Sequence, residues 1–264
     1  MINETSMMPF LLYDKPYPYN DIMIYPVKMG DILEFQIYQR CLVLRKNSWF
    51  PDKQIIKMTY MDFLFFCSNN PEYLNKFNDK NDEIFDFSDS GLYYFYFLQL
   101  LTIVCKESKE IKYNQVTGQI YIDETEITPQ MFDDIRRIII LQNGIDFDPD
   151  EFMNVSTEKA LNRASRHNNK NNNNNATIED YIDSVVVSLG MPVSAIEEMS
   201  IRKFWRYLDR INMHESYTIM KTGECSGFVQ YKEEIKHWMI SLNKKDKYSS
   251  LKTDEKDLRD KISS

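Results

Sequence analysis

Glycine is scarce in this chain, seven in 264 residues, and histidine scarcer still at three. So few glycines leave no place for a P-loop or a dinucleotide fingerprint, both of which need Gly-rich turns to bring backbone N–H groups onto phosphate. No G-x-S-x-G elbow and no Cys/His nucleophile context occurs either. The histidines, His167, His214 and His237, lie far apart, and although a set of His214, Cys225 and His237 can be drawn, no short ligand spacing supports it. Paired carboxylates are frequent but lack the apolar or cationic surroundings that would shift a pKa usefully. The four cysteines, Cys41, Cys67, Cys105 and Cys225, form no CxxC pair and sit among apolar or helical neighbours, which predicts reduced, mostly buried thiols in a cytoplasmic protein. The longest apolar run, GLYYFYFLQLLTIVC at 91–105, is interrupted by Gln99 and falls short of the roughly 20 residues needed to span a bilayer. The opening MINETSMMPFLLYDKPYPY has neither the basic region nor the apolar core of a signal peptide. The expectation is a protein that is no enzyme, with no catalytic, cofactor-binding or metal-ligating residues, no cofactor and no membrane contact.

What the chain does contain is core material. Hydrophobic residues make up 43% and aromatics 14%, far from a disordered composition. The net charge of −8 is unevenly placed: residues 1–150 carry 14 Lys+Arg against 23 Asp+Glu, and the remainder is close to neutral. An acidic N-terminal half repels phosphate backbones, which argues against nucleic acid there. The asparagine run 168–175, broken by Lys170, cannot support a core and reads as a linker. The fold class expected is therefore helix-rich α+β. It comprises a mixed N-terminal domain over 1–152 with a β-hairpin, a polar Asn-rich linker over 153–176, an all-α domain over 177–242, and a charged disordered tail over 243–264.

Within the N-terminal part, residues 1–20 read as an irregular arm rich in Tyr, Pro and Met. A strand over 21–28 ends near Pro26, since proline cannot donate to a ladder. Asp31 reads as the cap of an apolar helix over 32–44, whose apolar positions take up nearly its whole circumference and predict deep burial, and Thr59 caps another that runs to about Cys67. Residues 69–89 read as a long acidic loop. The aromatic run 92–105 reads as a core helix; a cofactor box made of Tyr93 to Phe97 has no glycine loop or charged anchor beside it. Residues 110–126 alternate and turn at Val116-Thr117-Gly118, a hairpin signal. Thr128-Pro129 starts a helix over 130–142, which Asn143-Gly144 ends. DFDPDE at 146–151 begins like a calcium loop but has Glu151 where the glycine must be and Thr157 where the glutamate must be.

The densest set of local signals lies at 177–213. Thr177 with Asp180 approximates a capping box, and Ile178, Tyr181, Ile182, Val185, Val186 and Leu189 predict one buried stripe, closed by Gly190 and Pro192. Ser194 with Glu197 has capping-box spacing for a short second helix. Ser200 can cap a third, whose apolar face is Ile201, Phe204, Trp205, Leu208 and Ile211. Arg202, Arg206 and Arg210 recur every four residues along it. They read either as a solvated face partnered by Asp209 and Glu198 or as a docking stripe for an acidic or helical partner. Residues 231–242 complete the part as an amphipathic helix with Ile235, Trp238, Met239 and Leu242 inward. The partner-binding candidates are Arg202, Phe204, Trp205, Arg206, Arg210 and Trp238.

The short strand ending IYPVKMGD and leading into an apolar helix resembles the opening of tail assembly chaperones from long-tailed bacteriophages. IRKFWRYLDRI and KHWM, after a polar linker, are similar to the C-terminal part of such proteins in phages of low-GC hosts. The bias to Asn, Lys, Ile and Tyr fits an A/T-rich genome. The resemblance spans 20–145 and 177–242 and carries over no functional residue. It implies a holdase of the host cytoplasm without cofactor, binding the tape-measure protein and tail tube protein, with a homo-oligomer left open. It also implies a short and a long product made by frameshifting, for which the A-rich codons around Lys170 would be a place. Two alternatives stand beside it: a DNA-binding helix-turn-helix regulator using Arg202, Arg206 and Arg210, and a structural virion component.

Overall fold

The computed structural model describes residues 2–46, 52–75, 89–108, 110–149, 176–231 and 234–242. The expected linker over 153–176, all but its last residue, and the expected tail over 243–264 lie outside these residues, as do a helix expected at 156–167 and most of the acidic loop at 69–89. By their contacts the residues divide into two units, Met1–Phe152 with Met191–Trp205, and Met153–Gly190 with Arg206–Ser264. The protein is helix-rich α+β, with small antiparallel sheets in the N-terminal part and helices in the C-terminal part.

Of residues 1–20, read as an irregular arm, the described ones, 2–20, form a helix and a strand. Asn3 and Ser6 form a capping box for α1 (Glu4–Leu12), which buries Met7 and Leu11, one turn apart. After Asp14, in the left-handed region at φ 54°, β1 (Tyr17–Tyr19) pairs antiparallel with β2 (Ile22–Ile24) across Asn20, itself at φ 51°. Asp and Asn tolerate that region because their short side chains bond locally. The expected strand 21–28 is thus cut to three residues, for the backbone beyond Ile24 bonds elsewhere. Tyr25 N–H donates to the Val104 carbonyl at 2.8 Å and Val27 N–H to Asn143 Oδ1 at 2.9 Å.

The helix expected over 32–44 is α2 (Ile32–Tyr38) tightening into a 3₁₀ turn at Gln39–Leu42; the Asp31 side chain makes no cap bond, and burial is one-sided, with Ile32 and Phe35 covered and Leu33 and Ile37 exposed. After α3 (Lys53–Lys57), Thr59 caps α4 (Tyr60–Asn69) by accepting from Asp62 N–H. The short α5 (Pro71–Asn75) follows, and then the aromatic helix α6 (Tyr93–Val104), which buries seven residues and sits at the centre of the first unit. The hairpin forms as its alternation predicts: β3 (Ile111–Tyr113) pairs with β4 (Ile120–Ile122), and β5 (Thr125–Glu126) adds a third strand. Gly118 is required at its turn, because φ is +70° and a Cβ there would lie 2.4 Å from the Phe65 ring. Thr128 and Pro129 start α7 (Pro129–Asn143), and Gly144 ends it in the left-handed conformation.

The core of this unit is aromatic with one buried cation. Phe97 of α6 stacks on Phe132 of α7 at 4.0 Å between centroids, and Tyr60 of α4 lies beside Phe132. The Arg136 guanidinium sits 3.5 Å over the Tyr60 ring. Its Nε and Nη2 donate to the Leu42 carbonyl at 2.8 and 2.5 Å, and Nη2 also to the Leu44 carbonyl at 3.2 Å. The Tyr60 hydroxyl donates to the Cys41 carbonyl at 2.6 Å. Arg136 is 6% exposed, so burial disfavours its charge, offset by the nearby Tyr60 and Asp133. Cys41, Cys67 and Cys105 are free and buried, and desolvation pushes the Cys67 and Cys105 thiols up to about 12; Cys225 is free and exposed.

In the C-terminal part, Thr177 and Asp180 form the capping box of α8 (Ile178–Leu189). The predicted stripe is only partly buried: Val185 is fully covered, whereas Leu189 is 42% exposed. α9 (Val193–Glu197) begins after Pro192 with no side-chain cap, so Ser194 is inside the helix and the expected capping box does not form. α10 (Ile201–Cys225) is one continuous helix about 37 Å long at ~1.5 Å per residue. Ser200 does cap it, accepting from Lys203 N–H at 3.2 Å. Residues 231–242 are not the expected amphipathic helix: the described ones, 231 and 234–242, are non-helical.

Arg136→Met should lower stability by about 3 kcal/mol in urea unfolding, because buried carbonyls lose a charged donor. Arg136→Lys, which keeps the charge without the fork, should recover only part of it. In the folded chain a thiol reagent should modify Cys225 quickly and the other three cysteines only after denaturation.

Candidate protein-binding face on the long C-terminal helix

The six candidate residues fall into two groups. Arg202, Phe204 and Trp205 belong with the first unit; Arg206, Arg210 and Trp238 belong with the second.

The first group is held by the fold. Lys28 and Ser200 form an antiparallel bridge, with Met29 N–H donating to the Met199 carbonyl at 2.8 Å and Ile201 N–H to the Val27 carbonyl at 3.0 Å. Ile196, Met199, Ile201 and Phe204 are buried alongside. Asp14 closes this start of α10: its carboxylate accepts from the Ser200 hydroxyl at 2.8 Å and lies 3.7 Å from Lys203 Nζ. Arg202 Nη1 donates to the Leu11 carbonyl at 3.3 Å, its other Nη lies 3.9 Å from Glu4, and its side chain is only 14% exposed. Phe204 is fully covered, and Trp205 meets it edge-on at 5.3 Å. Glu198, expected beside the arginines, pairs with Lys28, which holds its carboxyl below the ordinary carboxylate value.

The second group is different. Arg206 is exposed. Arg210 Nη1 donates to two main-chain carbonyls, those of Trp238 and Ile240, each at 2.7 Å. His214, one turn further along, meets the Trp238 ring edge-on at 5.0 Å, and Tyr217 meets His237 at 5.0 Å. His237 in turn stacks on Trp238, and its Nδ1 accepts from Met239 N–H at 3.2 Å. Nearer the helix end, a Cβ on Gly223 would lie 3.1 Å from the Tyr231 hydroxyl. After the turn at Gly227, at φ +75°, the described chain therefore runs back antiparallel along α10 as a strap. Of the candidates, the structure brings Arg210 and Trp238 together, through main chain and not through the indole.

The residues that hold the strap, His214, Tyr217 and His237, were missed as a group. The signal available was the spacing 210, 214, 217, which puts one side chain per turn on a single face of α10. Nothing local said what would lie against that face. Among the described residues no group of three or more His, Cys, Asp and Glu is placed to hold a metal ion, and no helix is long and apolar enough to cross a membrane.

The same part of the chain exposes large apolar side chains. Ile219 on α10 is 71% exposed, Phe228 just after it 94%, Met239 in the strap 68% and Val187 on α8 82%. So much apolar area left in water is costly unless something covers it.

A family model described as the YomV second domain matches residues 168–243, starting at the asparagine run and ending with the strap. The match suggests a phage-related, YomV-like family for this part of the chain. Neither the curated proteins nor the solved structures compared with the chain contain a match.

Arg210→Ala should speed amide exchange over 234–242 by about tenfold or more while leaving α6 unchanged, since the two carbonyl contacts are lost and no core group is touched. Equal exchange in the variant and the wild type would remove the assigned role of Arg210.

Proposed function

We propose that this is a non-enzymatic bacteriophage protein that acts by binding other proteins, and specifically a tail assembly chaperone of the host cytoplasm. The partners proposed are the tape-measure protein, a very long helical protein, and the tail tube protein. The observation that carries the reading is the coincidence of the phage-related family match with the part that exposes Ile219, Phe228 and Met239. A helical protein waiting to assemble presents apolar surface that aggregates unless covered, and exposed apolar side chains on and beside a long helix are suited to cover it. A docking stripe made of all three arginines finds less support, because Arg202 and Arg210 already donate to carbonyls of their own chain.

The test is capture by tagged full-length protein during expression of the genome that encodes it, read by mass spectrometry. The expected result is recovery of a very long helical protein, reduced at least roughly tenfold, about 1.4 kcal/mol, by Ile219→Asp with Phe228→Asp. Both sites are exposed, so the thermal unfolding midpoint should hardly move. Phe204 is unsuitable for this test because its replacement would open the core. Salt-sensitive binding of duplex DNA would support the regulator instead, and presence in purified virions would support a structural component.

A further inference from the structure

Residues 234–242 carry two instructions that disagree. Ile235, Trp238, Met239 and Leu242 recur at helical spacing and would share one face of a helix. The backbone there is nevertheless non-helical, and of the four only Ile235 is buried, with Met239 68% exposed. What overrides the helical pattern is a short set of contacts with α10: the two carbonyls on Arg210, Trp238 against His214, and His237 against Tyr217. Of the strap's apolar side chains only Ile235 is buried, so the strap opens at lower free energy than the core. A conflict between local code and observed conformation marks an element with a second role.

We propose that residues 234–242 are a displaceable cover on the Arg210–His214–Tyr217 face of α10. On meeting a partner they leave that face and form the helix their sequence encodes, laying Ile235, Trp238, Met239 and Leu242 along an apolar stripe of a partner helix. The occupant is a helix, because the reading above makes the partner a helical protein and the strap's spacing, which would scatter over both sides of an extended peptide, gives a helical stripe able to pack against another. In a helix the carbonyls of Trp238 and Ile240 would lie about 200° apart around the axis, so they could not both stay on the one Arg210 nitrogen and these contacts must break for it to form. So short a helix does not persist alone in water, which is why the free chain shows the strap. This inference rests on the reading above that the chain binds a helical protein.

The test uses full-length protein carrying Cys225→Ser, Tyr217→Cys and His237→Cys, with the new cysteines joined by a cleavable thiol cross-linker. Locking the strap should lower capture of the long helical protein at least roughly tenfold, and cleavage should restore it. Equal capture before and after cleavage overturns the inference and leaves the proposed function standing. No capture by the wild type overturns that function, and this inference with it. Independently of any partner, the amides of 234–242 in the wild-type chain should exchange at least about 100-fold faster than those of α6. Protection equal to α6 overturns the inference whatever the capture shows.

Discussion

The first unit depends on one buried cation. Arg136 brings a charged fork into an aromatic core, where its desolvation is offset by two carbonyls, by the Tyr60 ring face and by the field of Asp133. The carbonyls belong to the end of the 3₁₀ turn after α2, where a helix would otherwise leave acceptors unpaired in a dry place. One side chain therefore ties α7 to the end of α2, and Tyr60 extends the tie to α4 through the Cys41 carbonyl. The stacked pair Phe97 and Phe132 then fixes α6 against α7. A methionine of similar volume would fill the space without supplying the donors.

A second constraint acts on the backbone between β2 and α2. Residues 25–29 have no sheet partner strand, yet their polar groups are paired with other elements. The partners are the Val104 carbonyl at the end of α6, the Asn143 side chain at the end of α7, and main chain at Met199 and Ile201. Buried N–H and C=O groups are costly to leave unpaired, so this strip acts as a template to which distant pieces of chain are matched. The segment 191–205 is ordered by it. That accounts for why Phe204 and Arg202, placed on a helix that looks free in the sequence, serve the fold.

Beyond Trp205 the helix carries a strap held by a few polar and edge-on aromatic contacts and by the one buried side chain Ile235, next to apolar side chains left in water. Contacts so few let the strap open at lower free energy than the packed helices of the first unit. Strength and reversibility compete here: a strap as well packed as α6 would not open, and bare apolar surface would aggregate.

The sequence by itself determined the punctuation of the chain. Thr59, Thr128 and Thr177 cap the helices they precede, Gly144 and Gly190 take the left-handed conformation, and the two strands read at 111–113 and 120–122 pair as a hairpin. These signals are local, resting on bonds between residues three or four apart or on alternation along one strand. The core position of α6 was legible too, from its long apolar run, although Phe95, Gln99 and Thr102 leave one face in water. Only the tertiary structure decided the roles of Arg136, Arg202 and Arg210, which bond to carbonyls 94, 191 and 28 residues away. The same holds for the strap, where periodicity specifies a helix but contacts with Arg210, His214 and Tyr217 accompany a non-helical backbone. An arginine in a sequence announces a charge and five donors; where the acceptors are is a property of the fold.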